Sequence, residues 1–199
     1  MTQAFPRSYR EDVTYVCNRL SRKPINRDSL LCTANVLYSK EGSVWNVLSN
    51  ETINIPYRVY LFDGVEDPEK CFTPLQQIIY HCIFSRSYNG YVRETHIKAL
   101  LESELPEWAM LYVIKICDEY VLEILQTVYQ SLHTRNCEAY RSLCAQNFEN
   151  IRLGHTRMIS YWNEFYRRIC YRYKDYIGKR LYSECFGYRK TGQKSIQIK

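Results

Sequence analysis

The sequence predicts an all-α protein built as a stack of antiparallel helices of the α-solenoid type, with a short extended segment near residues 53–61. Three observations carry this expectation. Apolar residues recur at helical spacing along most of the chain, short polar turns separate the helical stretches, and one turn-plus-helix unit occurs twice.

Taken in order, Val13, Val16, Cys17 and Leu20 form one stripe of a short helix that starts near Tyr9. Asp28 then caps an expected second helix carrying Leu30, Leu31, Ala34 and Leu37, ended by Gly42. Ile53, Ile55, Tyr57, Val59 and Leu61 alternate with polar residues, which reads as a strand, and Pro56 confines it to an edge. Residues 63–70, DGVEDPEK, read as a loop. Thr73-Pro74-Leu75-Gln76 spells a capping box with proline at the first helical position. The helix it opens shows Leu75, Ile78, Ile79, Cys82 and Ile83 on one face. Further helices carry Val92, His96, Ile97, Leu100 and Leu101, then Trp108, Leu111 and Ile114 after Pro106. Asp118 begins the next, with Val121, Ile124, Leu125, Val128 and Leu132. Two more stripes follow, Cys137 to Phe148 and Met158-Trp162-Phe165-Ile169, and the pattern continues through Ile177 to Leu181.

The repeated unit is NGYVRE at 89–94 and DEYVLE at 118–123, with Asn89 and Asp118 at the same turn position, where a short side chain caps the next helix. Over about residues 74–132 this resembles the HEAT-like family of helical repeats, in particular the short bacterial-type repeats that open with such a turn. Asn89, Val92 and Arg93 match that pattern; in the second unit Asp118 and Val121 match, but Leu122 replaces the arginine. The resemblance implies a curved stack of helix pairs used for binding and, in some members, for enzyme active sites. The chain is expected to be a single helical domain of 1–199, with a repeat core at 74–154, a basic aromatic helical region at 155–185 and a flexible tail at 186–199.

The net charge of +6 is uneven: residues 1–154 carry 16 Lys/Arg against 18 Asp/Glu, and residues 155–199 carry 11 against three. The nine cysteines are scattered without a CxxC pair, and the opening MTQAFPRSYRED lacks an apolar signal region. Both point to a reducing, cytoplasmic setting, in which the sequon at Asn50 is incidental. No apolar run is long enough for a membrane span.

No arrangement of residues spells a reaction. His133, Cys137, Cys144 and His155 are zinc-type residues, but their spacing is too loose for a structural knuckle and the cysteines fit an apolar stripe. Glu102, Glu104 and Glu107, and the pair Glu119 and Glu123, read as solvated helix edges; His81 and His96 read as satisfied core or boundary groups. Glycine-rich phosphate loops and a nucleophile elbow are missing. No metal and no cofactor are expected. The informative stretch is RMISYWNEFYRRICYRYKDYIGKR, whose stripe Met158, Trp162, Phe165 and Ile169 would be buried, leaving basic and aromatic residues outward. The expectation is a non-catalytic helical repeat protein that binds a macromolecular partner through Arg157, Tyr161, Arg167, Arg168, Tyr171, Arg172, Lys174, Lys179 and Arg180. A protein partner is the first reading; RNA or DNA held by the same residues is the alternative. A further alternative is a HEAT-like DNA-processing enzyme, which needs a carboxylate beside a basic aromatic cleft. Glu164 and Asp175 are the acids available in that segment, and the Glu164–Arg168 spacing reads as a salt bridge.

Overall fold

The computed structural model describes residues 1–20, 30–33, 35–47, 50–61 and 68–189. The chain is mostly helical, with two small antiparallel sheets near its start. After two single 3-10 turns, α1 spans Arg10–Arg19 and buries Val13, Val16 and Cys17, the stripe expected from the sequence. Where a helix capped by Asp28 and ended by Gly42 is expected, the described residues instead form a pair of strands, β1 (Leu30–Thr33) and β2 (Val36–Ser39). The proposed cap Asp28 and stripe residue Ala34 lie outside the described residues. The physical reason is tertiary: Val36 and Tyr38 suit a pleated surface, and β2 pairs on one side with β1 and on the other with β5 (Val59–Tyr60).

The second sheet is the hairpin of β3 (Gly42–Val47) and β4 (Glu51–Pro56). Asn50 turns it at φ 61°, in the left-handed region that asparagine tolerates better than most residues. Gly42 is required at the far end. A Cβ there would lie 2.5 Å from Asn54 Oδ1 and 2.6 Å from the Ile55 carbonyl oxygen. The expected extended segment is thus β4 and β5, and Pro56 ends the first of them at a sheet edge. The connection between them, Tyr57 and Arg58, points into the site described below. Of the expected loop at 63–70, residues 62–67 lie outside the description, and the rest opens the short helix α2 (Pro68–Cys71).

Helix α3 (Pro74–Phe84) begins with the full capping box: Thr73 Oγ1 accepts from the Gln76 amide, and the Gln76 side chain accepts from the Thr73 amide, both at 3.3 Å. α4 (Gly90–Glu102) starts on Asn89, whose Oδ1 accepts from the Tyr91 amide at 3.0 Å. α5 (Glu107–Ile116) is buried on nearly every side, so it is the central element, against which α3, α4, α7 and β3 pack. α6 (Leu122–Leu132) starts four residues later than expected. Asp118 does not cap it, because its carboxylate is drawn to Lys115 and Arg157. α4 packs on α3 and on α6.

α7 (Glu138–Gln146) and α8 (Phe148–Tyr161) meet at Asn147, which is locked to β3. The Asn46 amide donates to Asn147 Oδ1 at 2.7 Å, and Asn147 Nδ2 donates back to the Asn46 carbonyl at 2.9 Å. α8 then passes into a wider π-type turn over Trp162–Tyr166. That change of winding overturns the expected buried stripe. Met158 is buried and Trp162 half-buried, but Phe165 and Ile169 emerge 56% and 80% exposed. The short helix α9 (Ile177–Arg180) and a second π-type turn, Leu181–Cys185, fold back on α6. Of the expected tail, residues 190–199 lie outside the description.

His81 of α3 and His96 of α4 face each other, Nδ1 to Nδ1 at 2.8 Å, so one must donate and the other accept. The rings of Tyr80 and Phe84 pack around His96. Burial, then the neighbouring His81, lowers His96 to about 3, and burial lowers His81 from its usual value of 6.5. Both hold protons less readily in the folded chain than in the unfolded one, so their contribution to stability is lost as pH falls below about 6.5. Urea melts at pH 7 and pH 4.5 should show a smaller loss for His96→Phe than for the wild type. An identical loss in both would remove the pair as a cause.

Candidate functional site

Four separated stretches bring ionised groups to one pocket of about 340 Å³, lined by Tyr57, Arg58, Arg86, Lys115, Asp118, Glu119, Arg157 and Tyr161. Local structure explains each arrival. Tyr57 and Arg58 come from the link between β4 and β5. Arg86 sits just past α3, where the turn is fixed by the backbone of β5: the Val59 amide donates to the Arg86 carbonyl at 2.8 Å, and the Tyr88 amide donates to the Val59 carbonyl at 3.1 Å. Lys115 is on the last turn of α5, and Asp118 and Glu119 follow it. Arg157 and Tyr161 belong to the final turns of α8. That helix comes close because residue 154 is glycine, where a Cβ would lie 2.7 Å from Tyr182 Oη and 3.1 Å from Asp118 Cβ.

Glu119, expected on a solvated edge, is 6% exposed and is the anion at the centre of three arginines. Arg58 reaches both of its oxygens, at 2.8 and 3.2 Å, Arg86 Nη2 reaches Oε1 at 2.8 Å, and Arg93 Nε lies 3.1 Å from Oε2. Burial alone would raise this carboxyl, but Arg86, Arg58 and Arg93 together outweigh burial and hold it below the usual carboxylate range. Asp118 is shared between Lys115 at 2.6 Å and Arg157 at 2.8 Å. Burial dominates at Lys115 and brings its ammonium down to about 8, against the pull of Asp118 and helped by Arg86.

Five cations therefore meet two carboxylates: Arg58, Arg86, Lys115 and Arg157 on the wall, and Arg93 behind Glu119. Arg86 is fully buried, and its side-chain hydrogen bonds go to the Pro56 and Tyr57 carbonyls and to Glu119; its Nη1 has no acceptor among the described residues. Buried ionic groups are ordinarily satisfied. Lys115 Nζ and the Arg157 guanidinium lie 4.8 and 5.7 Å from the centre of the Tyr57 ring. Tyr161 joins Tyr120 and Phe165 in a ring cluster beside the mouth, with centroids 5.8, 6.1 and 6.3 Å apart. Tyr120 and Phe165 remain about half exposed.

Of the sequence-expected binding residues, only Arg157 and Tyr161 reach this pocket. Arg167, Arg168, Tyr171, Arg172 and Lys174 are exposed on the turns beyond α8, with Arg167 bonded to Asn163 at 3.1 Å and Arg172 paired with Asp175 at 2.6 Å. Arg180 pairs with Glu184 at 3.1 Å and bonds Tyr129 of α6, and Lys179 precedes it on α9. The basic residues thus divide among separate places instead of lining one helix face. Tyr57, Arg58, Arg86, Lys115, Asp118 and Glu119 were missed. Their signal was charge in apolar company, Lys115 within WAMLYVIKIC and Arg86 within CIFSRSY.

A second cavity of about 410 Å³, lined by residues such as Cys144, Phe148, Ile151, Phe186 and Tyr188, is larger but brings no comparable set of charged groups together. Three of the four zinc-type residues have other engagements, and the fourth, Cys144, is buried in the core: His133 Nδ1 lies 2.9 Å from the Tyr129 carbonyl, the Cys137 thiol donates to the Leu132 carbonyl, and His155 meets Tyr173. Among the described residues no group of three or more His, Cys, Asp or Glu is placed to hold a metal ion. No described helix is long and apolar enough to cross a membrane. Compared with known proteins, the chain matches no family model and shows no significant likeness to a curated protein or a solved structure.

Proposed function

We propose that this is a non-catalytic helical binding protein whose recognition centre is the charged pocket, and that it takes an anionic group of its partner. The observation that carries the reading is the surplus of cations over carboxylates around an open pocket, with a buried arginine donor left over. An incoming anion would neutralise that surplus with charge-assisted hydrogen bonds. The same geometry argues against acid–base catalysis by a carboxylate or a histidine. Asp118 and Glu119 are each held by two or more cations, and the pocket wall contains no histidine. The stacking of α4 on α3 and α6 supports the reading of the core as HEAT-like helix pairs that present this surface.

Pyrophosphate and sulfate test the proposal. At low millimolar concentration, below the range where sulfate stabilises proteins in general, both should raise the melting temperature above that in chloride of equal ionic strength. A ligand at 100 times its Kd adds about 2.7 kcal/mol. Arg157→Ala should reduce the rise; its side chain is 42% exposed, so folding should tolerate the change. Equal melting temperatures in chloride, sulfate and pyrophosphate would refute the reading.

A second reading keeps the outer surface as a protein-docking face. Ile169 and Tyr171 are 80% and 76% exposed beside Arg167 and Arg168, and Arg167 lies 6.0 Å from the Tyr171 ring centre. Residues of this kind anchor protein interfaces.

A further inference from the structure

We infer that the pocket receives a phosphate monoester carrying a nucleobase: the phosphoryl group enters among Arg58, Arg86, Lys115 and Arg157, and the base stacks on the Tyr120–Tyr161–Phe165 rim. This rests on the anion-binding reading and adds the class of ligand to it.

Charge selects the phosphate. A carboxylate would offset one of the three surplus positive charges, whereas a phosphate monoester brings about −1.5 to −2 at neutral pH and three acceptor oxygens. The donors suit it: three guanidinium groups and one ammonium on different elements surround the pocket, and guanidinium forks match phosphate geometry. Arg86 is held rigidly by Pro56, Tyr57 and Glu119, so its position is set before any ligand arrives. Lys115 is held in the same way by Asp118.

The rim selects the base. Tyr161 lies both on the pocket wall and in the ring cluster, so the charged and aromatic surfaces are continuous. Tyr120 and Phe165 are 49% and 56% exposed, and Tyr120 is held in place by the Tyr166 hydroxyl, which donates to its carbonyl. Phe165 is presented by the π-type turn of Trp162–Tyr166; a continued α-helix would have turned it inward with Met158. Apolar rings beside a phosphate-sized cluster of cations are the combination that holds nucleotides, because every base has a face to stack. A pocket of about 340 Å³ lies within the size range of small-ligand sites.

Two sources carry this chemistry, a free mononucleotide and the phosphorylated end of a single strand. Titration calorimetry of the full chain at low salt separates them, using pyrophosphate, ribose 5-phosphate, adenosine 5′-monophosphate and a short oligothymidylate with and without a 5′-phosphate. The nucleotide should bind roughly tenfold or more tighter than ribose 5-phosphate, the gain expected from one stacked base. Phe165→Ala should bring that ratio toward one. The phosphorylated oligonucleotide should bind more tightly than its hydroxyl form; if it also exceeds the mononucleotide, the ligand is a strand end, and if it does not, a free nucleotide. Should pyrophosphate bind while the nucleotide gains nothing over ribose 5-phosphate, this inference fails and the anion pocket stands. A hydroxyl-ended oligonucleotide that binds as tightly as the mononucleotide also overturns it, because a terminal phosphate would then contribute nothing. If none of the phosphates binds, the anion-binding reading falls as well.

Discussion

Glu119→Gln should destabilise the protein by about 3–5 kcal/mol, the penalty for removing one member of a buried ionic cluster. The substitution keeps shape and removes only charge. It leaves Arg86 and Arg93, both at most 2% exposed, facing each other and Arg58 with no anion between them. For a chain of this size each kcal/mol shifts the melting temperature by roughly 2–4 °C, so calorimetry should show a drop of about 6–20 °C. Added pyrophosphate should restore part of the loss by supplying the missing negative charge. A variant that melts within a degree or two of the wild type would mean that the arginines do not depend on Glu119.

The second large effect is on binding. Affinity for sulfate should fall as pH rises through about 8, approaching about tenfold per pH unit once Lys115 has lost its proton. The direction follows from linkage. An anion favours the ammonium form, so the Lys115 value rises in the complex and a proton is taken up on binding. Above the free-state value that proton must come from solution. Sulfate is the right probe because it does not itself titrate between pH 7 and 9.5. The other groups facing Lys115 are the carboxylates Asp118 and Glu119, the guanidinium of Arg86, and across the pocket Arg58, Arg157 and Tyr57. Lys115→Arg, which keeps its charge throughout, should flatten the profile; a flat profile in the wild type would exclude Lys115 from the binding surface.

Local signals were the most legible. Thr73, Pro74 and Gln76 announced the start of α3 because a capping box is made by residues three apart, and Asn89 announced α4 in the same way. Alternation disclosed β4 and β5, and Pro56 fell where the first strand stops. The strands β1 and β2 were misread because Leu30, Leu31 and Leu37 fit a helical period, while β2 is fixed as a strand by pairing with Val59 and Tyr60, over twenty residues away, and β1 pairs with β2. Glu119 was misread for a similar reason. Its partners are 61, 33 and 26 residues distant, beyond any helical spacing rule. The basic C-terminal region shows the limit of composition. It gave the number of charges correctly, but the π-type turn at Trp162–Tyr166 decides where they point. Lys115, in contrast, was a readable clue: a lysine inside an apolar run is either exposed by a break or buried with a partner, and here Asp118 is three residues on.

The pocket walls come from stretches around residues 57, 86, 115–119 and 157–161, so its two ends are separated by a hundred residues of chain. During synthesis from the N-terminus, the groups that would attract a ligand emerge one after another, and Arg157 follows Tyr57 by a hundred residues. A chain that has not yet reached Lys115 and Arg157 therefore exposes Arg58 and Arg86 without the geometry that makes them selective. Recognition switches on late and as a unit, and ligand-responsive protection from a protease would serve as a direct gauge of how many molecules in a preparation have closed correctly.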